Sequence, residues 1–238
     1  RIFLGWYYHQ VGWIMVILTG ASGGIGEYIY RKKSKDEFVL GITNKTSIQK
    51  LKNTKIVKID LSNEDEIISF INKNKAIFEN ITLIHMAAVK IDKLMYNFTH
   101  EEIIKIFTIN CFANFSLTKH LLPFMIKQKW GRIINISSLA AEGSVGSAAY
   151  SSSKAALQGY TKTLAKEYGR FNITTNLIKL GYFDVGLINN LSDNNIKELT
   201  SQVPSKKLGI PIEILKLINY IQSSEYLNGA SIKLDGGV

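Results

Sequence analysis

The chain has a single cysteine, Cys111, in 238 residues. That excludes an internal disulfide framework and a zinc site built from cysteines. No run reaches the roughly 18 apolar residues of a membrane-spanning helix. There is no internal repeat, no low-complexity linker and no composition shift that would mark a second domain. Acidic residues are few: 19 Asp and Glu stand against 29 Lys and Arg, for a net charge of +10 and a pI near 9.5. Such a balance invites a nucleic-acid reading. The lysines, however, are scattered through an Ile/Asn/Lys-rich composition instead of following one motif. Two readings remain, a general lysine bias or a basic surface for an acidic partner. Arg31–Lys35 reads as the solvated end of a helix.

What is present fits one large α/β domain, with 46% hydrophobic and 20% charged residues. Met15–Thr19 is an apolar run leading straight into glycines, as a buried parallel strand does. Residues 26–35 then read as a helix, 38–43 and 55–59 as strands, and Asn63 with Glu64, Asp65 and Glu66 as a helix start. Further strands are expected at 81–86, 132–137, 173–179 and 230–234, with long helices at 101–127 and 150–168. The stretch 184–224 is the least regular. Alternating strands and helices predict a single-domain, Rossmann-type doubly wound parallel sheet of about seven strands with helices on both faces.

The domain is expected over 15–238. Residues 1–14 (RIFLGWYYHQVGWI) form an aromatic-rich N-terminal extension with only fragments of a secretory signal. Either Met15 is the natural start, or the extension packs on the core or on another subunit.

Thr19-Gly20-Ala21-Ser22-Gly23-Gly24-Ile25-Gly26 lies between the first strand and the first helix. There Gly20 permits a tight turn, Gly24 close backbone approach, and Gly26 tight packing of helix on sheet. The helix start offers N–H groups and a positive dipole end to a pyrophosphate. At the end of the second strand, Thr43-Asn44-Lys45 contains no acid and one cation, which favours NADP(H) without excluding NAD(H).

Tyr150 and Lys154 stand four residues apart, on one face of a helix, twelve residues after Ser138. A free phenol titrates near pH 10. A neighbouring ammonium favours phenolate, so the pair is expected to lower the tyrosine pKa and make it usable for proton transfer.

In this order the motifs resemble those of the short-chain dehydrogenase/reductase family over nearly the whole length. Within it the chain is most similar to 3-oxoacyl-[acyl-carrier-protein] reductases. The resemblance rests on the glycine turn, Asp60 after the third strand, Asn110 in the long helix, Gly131–Ser138, the Tyr150/Lys154 pair, and the closing Leu234-Asp235-Gly236-Gly237. It implies four catalytic residues. Tyr150 is the general acid or base, and Lys154 lowers its pKa and binds the nicotinamide ribose. Ser138 holds the substrate oxygen, and Asn110 positions a water that links Lys154 to solvent. Ser137 is the rival to Ser138.

Cofactor contacts are implied at Gly20, Ser22, Gly23, Gly24, Ile25, Gly26, Asn44, Lys45, Asp60, Leu61, Ala87, Ala88, Tyr150, Lys154, Gly181 and Phe183. No metal is implied. The chain departs from the family at His85-Met86-Ala87-Ala88, at Leu180 and at Val185; His85 reads as a packing or backbone-bonding residue. The implied function is an NADP-dependent, cytoplasmic reductase of a ketone, drawn as a 3-oxoacyl thioester, with an acidic acyl carrier protein as partner. A sugar, polyol or small-alcohol dehydrogenase and a non-catalytic nucleotide binder are the alternatives. Residues 184–211 would form the substrate lid. A homotetramer or dimer is implied, with Leu157, Tyr160, Thr161 and Leu164 as contact residues or, alternatively, packed on the protein's own sheet.

Overall fold

The computed structural model describes residues 13–186, 188 and 192–238. Most of the extension expected at 1–14 lies outside these residues. At its end Ile14 is buried, and the Trp13 carbonyl accepts from Asn80 Nδ2 at 3.3 Å.

Seven parallel strands form one sheet: β1 (Met15–Thr19), β2 (Phe38–Thr43), β3 (Thr54–Lys58), β4 (Ile81–His85), β5 (Gly131–Ser138), β6 (Ile173–Leu180) and β7 (Ser231–Leu234), in the order β3-β2-β1-β4-β5-β6-β7. The central strands are apolar on both faces because each face is covered. Ile17, Leu83 and Ile133 join one buried cluster, and their neighbours Val16, Leu18, Ile84 and Ile134 join the other. Truncating any of these to alanine would cost about 2–5 kcal/mol.

Helices α1 (Gly24–Lys33) and α7 (Pro211–Ser223) cover one face. On the other lie α2 (Glu64–Asn74), α4 (Ala113–Gln128) and α5 (Ala148–Tyr168), with α3 (His100–Phe107) against α5. The start of α2 is capped as its sequence suggests, Asn63 Oδ1 accepting from the N–H groups of Asp65 and Glu66. Thr99 and Glu102 form a reciprocal capping box on α3.

Three expectations change. The helix expected at 101–127 is interrupted by a π turn, Thr108–Phe112, which carries Asn110. The stretch 184–224 is not irregular throughout: it contains α6 (Asp193–Gln202) and α7. Residues 187 and 189–191 of the expected lid lie outside the described residues. Nor is Arg31–Lys35 simply solvated. Lys33 is 5% exposed, its Nζ 2.9 Å from Glu37 Oε1 and bonded also to Gln222 Oε1. Four residues past Lys33 the chain supplies a buried carboxylate, and that pairing overrides the expected surface placement.

Candidate active site

Strand order reverses between β1 and β4, so the connections leaving their C-terminal ends run to opposite faces of the sheet and open a crevice. Thr19 braces it. Its Oγ1 accepts from the N–H groups of Met86 and Ala87, both at 3.0 Å. Gly20 has φ +69°, and a Cβ there would lie 2.9 Å from the Ala87 backbone. A Cβ on Gly26 would lie 2.1 Å from the Gly20 carbonyl oxygen, so the turn and α1 pack as only glycine allows.

Helix α1 begins at exposed Gly23 with no side-chain cap, which leaves its first N–H groups without a side-chain acceptor among the described residues. This turn fits a pyrophosphate. The loop after β6 forms the opposite wall, with Val185 and Gly186 close over Gly24.

Asn44 and Lys45 are exposed just past β2. Asp60 Oδ1 accepts from Ser62 N and Oγ at 2.9 and 2.6 Å. Those bonds, with the nearby Lys45 charge, hold its carboxyl below the usual range. Two expected cofactor residues turn their side chains elsewhere. Leu61 is in the core cluster beneath α2, and the Phe183 ring is buried under Gly209. Both leave only main chain for a ligand. Ala87 N is taken by Thr19, Ala88 is exposed, and Gly181 packs on Asp235, where a Cβ would lie 2.6 Å from its Cα.

Helix α5 runs back over β5, and side chains pair along the two. Asn135 Nδ2 donates to Thr161 Oγ1 at 2.9 Å, Ser137 Oγ to the Lys154 carbonyl at 3.0 Å, and Lys154 Nζ to the Ile136 carbonyl at 2.8 Å. At the end of the row stands Ser138, whose Oγ accepts from Ala140 N at 3.2 Å and whose hydroxyl opposes the rise of the Tyr150 pKa. The two serines therefore differ in surroundings. The Ser137 hydroxyl is 3% exposed and spent on helix α5, whereas Ser138 stands beside the phenol.

Asn110 is fully buried. Its Nδ2 donates to the Val89 carbonyl and to Ser153 Oγ, both at 3.0 Å, and its Oδ1 accepts from Val89 N at 2.8 Å. Its amide thus clamps the segment after β4 to the residue preceding Lys154, which leaves the side chain little capacity for the expected water. The π turn swings this amide inward.

The electrostatics differ from expectation. Lys154 is 3% exposed and its Nζ lies 5.9 Å from the Tyr150 ring centre. Burial lowers its pKa to about 8. Burial also pushes the Tyr150 pKa up, the Ser138 hydroxyl opposing and the Asp92 charge adding to the rise. Lys154 thus loses its proton before the phenol ionises. The net effect at the tyrosine is a rise, set first by burial, instead of the expected lowering.

His85 bonds a side chain, not the backbone: its Nε2 is 2.9 Å from Thr118 Oγ1, and burial holds the ring neutral with a pKa of about 3. Leu157, Thr161 and Leu164 are buried in their own chain, as the alternative reading had it. Tyr160 is part-buried, stacked on Phe115 with ring centres 4.2 Å apart.

Sequence reasoning gave no role to Lys90, Asp92 and Ser147. Lys90 and Asp92 reach Tyr150 from the coil after β4, and Ser147 bonds Asp92 across to the start of α5; no spacing rule signals such a meeting.

Comparisons with known proteins agree with this geometry. The family model described as short chain dehydrogenase matches residues 14–196. The chain is 34% identical over 239 residues to the 3-oxoacyl-[acyl-carrier-protein] reductase of Buchnera aphidicola subsp. Baizongia pistaciae (strain Bp), covering 94% of this chain and 96% of that one. It is 30% identical over 234 residues to nodulation protein G of Rhizobium sp. (strain N33), covering 93% and 95%. Among solved structures, a 4-hydroxyisoleucine dehydrogenase mutant complexed with NADH and succinate superposes with a TM-score of 0.87 at 27% identity, covering 94% and 97%.

Proposed function

The chain belongs to the short-chain dehydrogenase family and is an oxidoreductase; from that premise we propose that it reduces a ketone with NADPH, using Tyr150 as general acid. The observation that carries the reading is the meeting of Ser138, at the end of β5, with Tyr150 and with the Lys154 ammonium 5.9 Å from the phenol ring.

The nicotinamide, when bound, supplies a hydride to the carbonyl carbon. The uncapped turn at Ser22–Gly26 would hold the pyrophosphate, and Ala87, Ala88 and Gly181 line the way to the ring. Asn44 and Lys45 would take a 2′-phosphate, since no acid stands at the end of β2. Asp60 keeps Oδ2 for the adenine while Oδ1 holds Ser62. Leu61 and Phe183 contribute main chain only.

Ser138 orients the carbonyl oxygen and donates to charge growing on it. Tyr150 gives its Oη proton to that oxygen. Lys154 lies behind the phenol to bind the ribose hydroxyls and keep the site cationic. Asn110 holds Val89 and Ser153 so that Lys154 stays in place.

A 3-oxoacyl thioester on an acidic carrier protein is the first substrate class, supported by the +10 charge and by the named activity of the Buchnera relative. The second is a small hydroxylated acid or polyol, supported by the 4-hydroxyisoleucine dehydrogenase likeness. A second copy of the chain is the proposed partner for the apolar groove at Phe115, Leu122, Pro123 and Tyr160, beside which Phe112 is 51% exposed. A cytosolic location belongs to the same proposal, Cys111 being free and buried.

NADPH consumption with an acetoacetyl thioester, and NADH in parallel, tests the reading. Tyr150→Phe should lower turnover about 10³-fold while nucleotide binding persists. An unchanged rate would sink the mechanism.

A further inference from the structure

Two ammonium groups stand equally far from the Tyr150 ring. Lys154 Nζ is 5.9 Å from its centre, and so is Lys90 Nζ. Lys90 arrives from the coil after β4 and is held there. Its Nζ lies 2.7 Å from Asp92 Oδ2, and Asp92 Oδ1 accepts from Ser147 Oγ at 2.6 Å. Ser147 is the N-cap residue of α5, the helix that carries Tyr150, yet its hydroxyl makes no capping bond. The hydroxyl is committed to Asp92. One residue further on, Lys93 N donates to the Gly146 carbonyl at 2.7 Å, and Lys93 Nζ lies 2.5 Å from Glu102 Oε1. The coil is thus fastened both to the turn before α5 and to α3. A surface lysine ordinarily keeps its rotamer freedom. This one is bracketed beside a phenol.

We propose that Lys90 is a further electrostatic residue of the reaction: its ammonium, set by Asp92 and Ser147, faces the negative charge that grows on Tyr150 as the phenol gives up its proton. This rests on the reductase reading. In that step the Tyr150 O–H bond breaks and an O–H bond forms on the substrate oxygen. The carbonyl carbon is reduced by hydride from the dinucleotide, and the phenoxide regains a proton from solvent.

The groups facing Tyr150 are Lys154 on its own helix, Ser138 on β5, and Lys90 with Asp92 on the coil after β4. Behind Lys154 lie Cys111 on the π turn and neutral His85 at the end of β4. Lys90 and Asp92 are joined, but the Asp92 charge adds to the rise of the phenol's pKa, and the proposal gives Lys90 the opposite sign. A pair that merely tied the coil down would lose the same thing whichever member was removed. That difference makes the inference testable.

The experiment is the pH profile of kcat/KM for ketone reduction by the wild type, Lys90→Met, Lys90→Arg and Asp92→Asn. Lys90→Met should move the apparent tyrosine pKa up by about half a pH unit, a screened single-charge effect, and Lys90→Arg should restore it. Asp92→Asn should move it down. Displacement of both variants in one direction, or of neither, overturns the assignment. If the wild type turns over no carbonyl compound, the reductase reading falls. Lys90 is then tested on the phenol itself, by carbon-13 NMR titration of Tyr150 assigned with Tyr150→Phe. The same opposite displacements are expected there, and their absence overturns the assignment.

Discussion

Two lysines are buried at opposite ends of the sheet, and they are buried differently. Lys33, at the end of α1, is 5% exposed and faces Glu37 and Gln222, while Arg132, fully buried, donates to the Gln222 carbonyl at 3.2 Å. Lys154, on α5, is 3% exposed and bonds one carbonyl, Ile136 O, with no carboxylate paired to it among the described residues. Burial lowers the pKa of both, with Glu37 opposing the fall at Lys33. A buried charge that meets its counter-ion is part of the fold. One that does not, set beside Tyr150, is what the proposed reaction requires of a group that receives an incoming ligand.

The sharpest way to break this comparison is to remove each ammonium. Lys33→Met takes the charge partner from a buried carboxylate and should destabilise the protein by about 3–5 kcal/mol, read by urea unfolding. Lys154→Met should instead show itself in the pH dependence. Its native pKa of about 8 lies below the ordinary lysine value of 10.5, so the unfolded chain binds the extra proton between those values. The charged lysine therefore weakens the native state at pH 7. That penalty fades as pH rises from about 8 towards 10.5.

Relative to the wild type, the variant should accordingly fare about 3 kcal/mol better at pH 7 than above pH 10.5, while reduction is lost. Equal losses of stability in the two variants would erase the distinction drawn here. Smallest is the exposed lysine: Lys45→Ala should lower the preference for NADPH over NADH about tenfold, measured as a ratio of kcat/KM values, with stability unmoved.

The same two residues show what could be read from sequence. The placement of Lys154 beside Tyr150 was legible because its setting is local: a phenol four residues away on one helix face, an apolar strand with its serines before it, and a glycine turn upstream. The parallel sheet was legible for the same reason, since both-face burial writes continuous apolar runs such as Met15–Leu18. Lys33 was misread although its counter-ion Glu37 is only four residues on, because its burial depends on how α1 meets the end of α7, where its other partner Gln222 lies 189 residues away in sequence. Asp92 and Ser147, 55 residues apart, are the active-site counterpart. The Tyr150 pKa failed on a different ground: proximity of a cation was legible, while the depth of burial that outweighs it was not. The π turn at Thr108–Phe112 left no trace either, because its residues suit an ordinary helix.

That turn has a consequence for lesions in the coding sequence. A π turn is an α-helix carrying one residue too many. Loss of a single codon within Thr108–Phe112 would let α3 and α4 fuse into one regular helix. The shortened chain would keep its sheet and much of its solubility. Yet Asn110, or whatever replaced it, would be turned about 100° around the axis, away from Val89 and Ser153. Screens that score expression would pass such a deletion, and only a functional assay would notice it.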